Sequence, residues 1–225
     1  MIHYHGTPIT PKRVLLELGG KHFCVSYADP RDVSACHQIG QSVMLDNGAF
    51  TFWMTGKPID WSGYYEWVEP WLAYKTTWAI IPDVIDGGET ENDRLVARCH
   101  LSYAQSSPVW HLHEPINRIF QFLDEGYERI CFGSSGQYKQ VGSPQWHRRI
   151  TEAFNRLSQN GPIPWIHMLR GMAMSGSHYP FTSVDSTDVA RHHNEKGNAK
   201  QMADRWDAIQ NPAIWTPQAE QQELL

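Results

Sequence analysis

The chain has 225 residues, and at roughly 150 residues per domain that gives room for one large α/β domain but is short for two. Hydrophobic residues make up 41% and charged ones 19%, which excludes disordered and fibrous classes. Nineteen basic against twenty-four acidic residues leave a formal charge of −5; this excludes holding nucleic acid by bulk positive charge and leaves room only for a local basic patch.

In chain order, apolar runs that read as strands alternate with helical patterns. The runs are Ile2–Gly6, Phe23–Ala28, Val43–Phe50, Thr76–Val84, Pro108–His113, Arg129–Ser134, Ile163–Gly171 and Phe181–Ser186. Val43-Met44-Leu45 and Trp78-Ala79-Ile80-Ile81 are apolar on both sides, as in a parallel sheet covered on both faces. Trp67, Val68, Trp71 and Leu72 mark one helix, and Thr90 to Tyr103, with Leu95, Val96 and Cys99, a second. Pro115 to Gly126 carries Ile116, Ile119, Phe120 and Leu123 on one face and stops at glycine. Ser143-Pro144 caps a fourth helix with the stripe Trp146, Ile150, Phe154 and Leu157, and Asn160-Gly161 ends it.

Eight strands with intervening helices predict an α/β fold, a TIM-like (β/α)8 barrel in a single compact domain over residues 1–217, with 218–225 a loose tail. A doubly wound open sheet is the runner-up, but no G-x-G-x-x-G or Walker-type loop follows any strand. Cys24, Cys36, Cys99 and Cys131 show no zinc-ribbon spacing and no disulfide framework. The first residues lack the basic start and apolar stretch of a signal peptide, and no apolar run approaches the ~20 residues needed to cross a bilayer. The expectation is a reduced, cytoplasmic protein with no membrane partner.

The chemistry-bearing residues gather at the C-terminal ends of the strands, where barrel enzymes place catalytic groups. Asp46 follows Leu45 and precedes Asn47-Gly48; Asp83 follows Ile80-Ile81-Pro82; Asp185 lies in Phe181-Thr182-Ser183-Val184-Asp185-Ser186. Gly133-Ser134-Ser135-Gly136 is a loop of small residues whose backbone N–H groups can approach a ligand, and His111, His113, His167 and Arg170 end two further strands. Taken singly, an aspartate after a strand serves as a helix cap or turn residue, a histidine as a hydrogen-bonded core residue, and His147-Arg148-Arg149 as the outer face of a helix. Met44 and Trp53 read as core. The coincidence of three aspartates on one rim is what points to a site, because crowded carboxylates raise one another's pKa and can divide nucleophile from acid/base duty.

Asp46-Asn47-Gly48-Ala49-Phe50 resembles the D-S-G-G-F-Q element of tRNA-guanine transglycosylases, and Ser183-Val184-Asp185-Ser186-Thr187 with Ala190-Arg191 is similar to their nucleophile segment. Pro82-Asp83, Gly133-Ser134-Ser135-Gly136 and His167-Met168-Leu169-Arg170-Gly171 follow in the same order, so the resemblance spans residues 40 to 191. It implies cleavage of an N-glycosidic bond in a polynucleotide through an oxocarbenium-like transition state. Asp185 would be the nucleophile and Asp46 the acid/base. Asp83, Phe50, Gly133, Ser134, Ser135, Gly136, His167 and Arg170 would bind the base, with Phe50, Trp53 or Tyr138 stacking on it. Lys139, Arg148, Arg149 and Arg191, with Arg170, would meet phosphates. The family's zinc site is absent, since no cysteine follows Cys131, and the base loop is not kept residue for residue. The chain looks more like the compact, zinc-free branch that places 7-deazaguanine bases in phage and bacterial DNA.

The implied partners are DNA or RNA with a flipped or single-stranded target base and a free 7-deazaguanine-type base, with no cofactor and no metal. Base exchange is the first expectation. A hydrolytic glycosylase excising a modified base, as in phage defence, is the alternative. Two further alternatives are a barrel that binds nucleic acid without catalysis and a metal-dependent hydrolase using His111, His113, Asp83 and Asp185.

Overall fold

The computed structural model describes residues 1–195 and 197–218. Its strands are β1 (Ile2–Gly6), β2 (His22–Ser26), β3 (Ser42–Asp46), β4 (Thr77–Ile80), β5 (Ser106–Ser107), β6 (Val109–His111), β7 (Arg129–Gly133), β8 (Trp165–Met168) and β9 (Ser183–Ser186). Every pairing is parallel, in the order β5-β4-β3-β2-β1-β9-β8-β7-β6.

The two ends of that order are neighbours in the chain, parted only by Pro108. Ser107 O accepts from Ile81 N at 2.9 Å on one side, and Pro108 O accepts from Cys131 N at 2.9 Å on the other. Proline has no N–H to give a ladder, so one strand is split into a half that pairs β4 and a half that pairs β7. A ring of eight strand positions results, closed but for that interruption: the expected (β/α)8 architecture. No helix among the described residues is long and apolar enough to cross a membrane.

Side chains alternate in and out along each strand. Outward residues such as Phe23, Val25, Val43, Leu45 and Ala79 pack under the helices of one half. Trp110, Ile130, Phe132, Ile166, Met168 and Val184 do so in the other, beneath the helices Asn117–Glu125 and Pro144–Gln159. Inward residues Tyr4, Cys24, Met44, Trp78, Ile80, Val109 and Cys131 fill the barrel floor. Moving two residues toward the C-terminal end from Tyr4, Cys24, Met44, Val109, Cys131 and Ser183 gives Gly6, Ser26, Asp46, His111, Gly133 and Asp185. The positions of this next inward layer are small or polar, and Ile80 and Leu169, beside Asp46 and Asp185 in the register, add apolar lining to the same opening.

Several predicted boundaries change. Val43–Phe50 stops at Asp46, because Gly48 turns the chain at φ 78° and Ala49–Thr55 is helical. Thr76–Val84 stops at Ile80, Ile163–Gly171 shortens to Trp165–Met168, and the helix expected over Thr90 to Tyr103 spans only Glu89–Ala97. Trp67 and Val68 end the helix Trp61–Val68, while Trp71 and Leu72 lie in the 3-10 turn Glu69–Ala73. The helix caps read well: Ser143 Oγ accepts from Trp146 N at 3.2 Å, and Gly126 closes its helix at φ 102°. Helices Lys12–Leu16, Val33–Ile39, Asp188–His192 and Ala199–Asp207 were not anticipated. Gln218 is not loose: its N–H donates to Asn155 Oδ1 at 3.0 Å and its carbonyl accepts from Asn155 Nδ2 at 2.8 Å. The rest of the expected tail, 219–225, lies outside the described residues.

Candidate active site

The inward layer above the floor opens into a cavity of about 810 Å3 at the C-terminal rim of the barrel. Asp46, Asp83 and Asp185 all line it, together with Phe50, His111, Gly133, Ser134, Arg170 and Arg191. Its volume falls within the ~300–1,000 Å3 common for small-molecule sites. The three aspartates, distant in sequence, therefore share one opening.

Their surroundings differ. Burial drives the Asp46 carboxyl up from 3.8 to about 6. The Ser26 hydroxyl and the Gly48 N–H, 3.1 Å from Oδ2, pull the other way, and the charges of Asp185 and Asp83 add to the rise. A group poised there can hold or release a proton near neutrality.

Asp185 instead receives donors. Arg170 N donates to Oδ1 at 2.7 Å, and His167 Nε2 lies 3.2 Å from the same oxygen. Trp165 Nε1, a donor only, donates to Ser183 Oγ at 2.7 Å. The Ser183 proton is thereby free for His167 Nδ1 at 2.8 Å, which assigns the other ring proton to Nε2 and to Asp185. Both donors fall on Oδ1, and no bond to a described residue occupies Oδ2. Arg170 makes its bond from a left-handed backbone, φ 55°, a conformation costly for a side chain with a Cβ and associated with functional sites. Its guanidinium lies 4.1 Å from the Phe50 ring centroid and donates to Ser134 O at 3.2 Å.

Asp83 is held by Asn47, whose Nδ2 donates to Oδ1 at 2.7 Å and to Ile81 O at 2.8 Å. Oδ2 lies 2.9 Å from His111 Nε2. Both carboxylate oxygens are thus engaged by protein.

The remaining expected residues divide. Gly133, Ser134, Phe50, Arg170 and Arg191 reach the cavity; Ser135, Gly136, Lys139, Arg148 and Arg149 do not line it. Ser135 Oγ bonds His113 Nδ1 at 2.6 Å. Arg149 is spent on Leu112 O, Glu114 O and Glu152, so it braces a strand end rather than facing a phosphate. His167 sits beneath Asp185 and orients it instead of lining the opening. Trp53 is 48% exposed and not core, while Met44 is fully buried. Tyr138 lies near Arg149, away from the cavity. Among the described residues, no group of three or more His, Cys, Asp or Glu is arranged to hold a metal ion; His111 Nε2 faces Asp83 at 2.9 Å, His113 bonds Ser135, and Asp185 bonds His167 and Arg170. Asn47, Ser26 and Ser183 were not anticipated, although the period-two step from the apolar floor marks Ser26.

No family model, no curated protein and no solved structure matches the chain.

Proposed function

We propose that the protein cleaves the N-glycosidic bond of a nucleobase in a polynucleotide, most readily DNA, with Asp185 as nucleophile. The observation that carries this is the shared cavity in which Asp185 presents an oxygen with no bond to a described residue while Asp46 is buried enough to titrate near neutrality. In a retaining glycosyl transfer, one carboxylate attacks or shields C1′ as the bond to the base stretches, and a second manages protons on the attacking or leaving group. Asp185 Oδ2 takes the first role and Asp46 the second.

The Phe50 ring at the mouth, with Arg170 against it, offers a stacking surface for a base. Arg170 and Arg191 supply positive charge at the rim for flanking phosphates. The target base enters flipped or from a single strand, since C1′ is out of reach inside a duplex. The resemblance to tRNA-guanine transglycosylases supports base exchange with a free 7-deazaguanine-type base. Capture of the glycosyl-enzyme by water, giving a glycosylase that excises a modified base, is the second reading, and it has the same first step.

The test is incubation with single- and double-stranded oligonucleotides, with and without 7-deazaguanine bases. Free base is measured by mass spectrometry, and abasic sites by alkaline strand cleavage. Released base with an intact backbone and incorporation of added base supports exchange; abasic sites support excision. A protein that neither releases nor incorporates any base, and forms no adduct at Asp185, refutes the proposal.

A further inference from the structure

His111 is the group in the cavity for which the mechanism above has no use. Its side chain is 3% exposed, it lines the opening, and among the described residues neither buried ring nitrogen has a well-aligned hydrogen bond: Nε2 has Asp83 in ion-pair contact, while Nδ1 has no partner at all. A buried polar atom left unpaired carries a free-energy cost that a ligand can relieve. The ring is placed rather than loose. Its backbone N–H donates to Glu114 Oε2 at 2.9 Å, its Nε2 lies 2.9 Å from Asp83 Oδ2, and the His113 ring is stacked at 5.7 Å. Opposite Nδ1 the chain has Gly133, where a Cβ would come within 3.1 Å of that nitrogen. Asp83, meanwhile, has both oxygens taken by Asn47 and His111, so it is not the atom that meets a base edge.

We infer that His111 is a catalytic acid: its Nδ1–H donates to the leaving base, with Asp83, 2.9 Å from Nε2, as the residue that positions the ring. The inference rests on the glycosidic-bond reading above and divides its proton transfers. As Asp185 Oδ2 forms a bond to C1′, the C1′–N bond breaks and its electron pair passes to the base. The proton on His111 Nδ1 moves to an acceptor nitrogen or carbonyl of that base, leaving a neutral imidazole with its remaining proton on Nε2 against Asp83. In the second half, the incoming water or base loses its proton to Asp46 as it displaces Asp185 from C1′. Asp46 then gives that proton to solvent and His111 takes one back, so the cycle balances.

The charges facing His111 are consistent with this. Burial alone pushes its pKa down, but Asp83 and then Glu114 more than offset that against the opposing Arg118, and the net shift is upward. Asp46 and Asp185 lie across the same cavity.

The experiment compares two oligodeoxynucleotides, one carrying guanine at the target position and one carrying 7-methylguanine. Methylation makes the leaving base cationic, so it departs without an acid. His111→Gln is expected to lose about 100-fold or more on guanine, in the range ordinary for general acids, and at least tenfold less than that on 7-methylguanine. Asp83→Asn, a milder change, is expected to move the high-pH fall of the guanine rate to lower pH, because the imidazolium loses its counter-charge. Thermal unfolding reports whether each variant is folded. Equal losses on both strands, an undiminished guanine rate in His111→Gln, or an unmoved pH limb in Asp83→Asn overturns the role of His111 and leaves the glycosidic reading standing. A wild-type protein inactive on both strands overturns both.

Discussion

Replacing Asp46 by asparagine is expected to stabilise the protein while removing its activity. In the unfolded chain the carboxyl titrates near its ordinary value of about 3.9. In the fold, burial first, then the nearby Asp185 and Asp83, raise it to about 6 against the Ser26 and Gly48 hydrogen bonds. The folded state therefore binds this proton more tightly than the unfolded one. Its advantage is complete below pH of about 4, declines as pH rises, and is gone above about 6. Two pK units at 1.36 kcal/mol each set an upper bound of about 3 kcal/mol on the penalty of ionising Asp46 in place. Solvent reaching the partly exposed carboxylate lowers this to about 1–2 kcal/mol.

Asparagine removes the charge and keeps an oxygen that can accept from the Gly48 N–H. Asp46→Asn should therefore be more stable than the parent by about 1–2 kcal/mol near pH 7.5, or roughly 2–8 °C in Tm for a chain of this size. The two should converge near pH 4. Unfolding followed by circular dichroism in urea at about pH 4, 5, 6 and 7.5 measures the difference. A gap that is constant across that range, or a less stable variant near pH 7.5, refutes the reasoning, because either result means that the buried carboxylate is not a source of strain. Gain of stability with loss of turnover is the trade expected where a site holds a group in an unfavourable ionisation state.

Three further outcomes follow from the same geometry. Asp185→Asn keeps an oxygen for the Arg170 and His167 donors and so should fold with a Tm close to the parent's, yet lose base release by about 1,000-fold or more, read by mass spectrometry of freed base. Arg170→Gly relieves a left-handed backbone and should stabilise the chain by about 1 kcal/mol in urea unfolding, while weakening oligonucleotide binding through loss of the Phe50 partner; a destabilised variant would mean that the stacking outweighs the strain. Ser183→Ala leaves Trp165 Nε1 and His167 Nδ1 without their shared partner and should cost about 1–3 kcal/mol, with a slower attack step in single-turnover assays because Asp185 loses its fixed orientation.

The barrel was legible because parallel strands covered on both faces write continuous apolar runs, and β1 was placed to the residue. The runs overshoot where apolar side chains continue past the strand end, into a loop at Ile81 and into a helix at Phe50, and the sequence offers no cue that Pro108 splits a strand rather than starting one. Helices of five or seven residues, such as Lys12–Leu16 and Val33–Ile39, are too short to establish a 3.6-residue period. Ala199–Asp207 was legible in principle, since Ala199, Met202 and Ala203 form a buried i, i+3, i+4 stripe. Asp46 and Asp185 stood out because an acid after an apolar strand is conspicuous. The situation of His111 was not visible. It depends on which phase of each alternation faces inward and on the register between strands far apart in the chain. Arg149 misled for the converse reason, because nothing in a basic triplet tells that one guanidinium is consumed by backbone carbonyls.

The cavity exists because of what its layer leaves out. With large residues at every inward position above the floor, the top of the barrel would be as full as Tyr4, Met44 and Trp78 make its base. Glycine at positions 6 and 133 removes two side chains on either side of Asp185 and His111. At position 6 a Cβ would stand 2.8 Å from Thr187 Cγ2 and 3.1 Å from Ser186 O, so an alanine there would push outward the segment that carries Asp185. At position 133 the Cβ would crowd His111 Nδ1 and Val109 Cγ1, both at 3.1 Å. The same two absences that open the cavity thus set where Asp185 and His111 sit around it. A single inward methyl group at either place should disturb alignment before it disturbs folding, because catalytic groups lose more from a displacement of ångström scale than packed ones do.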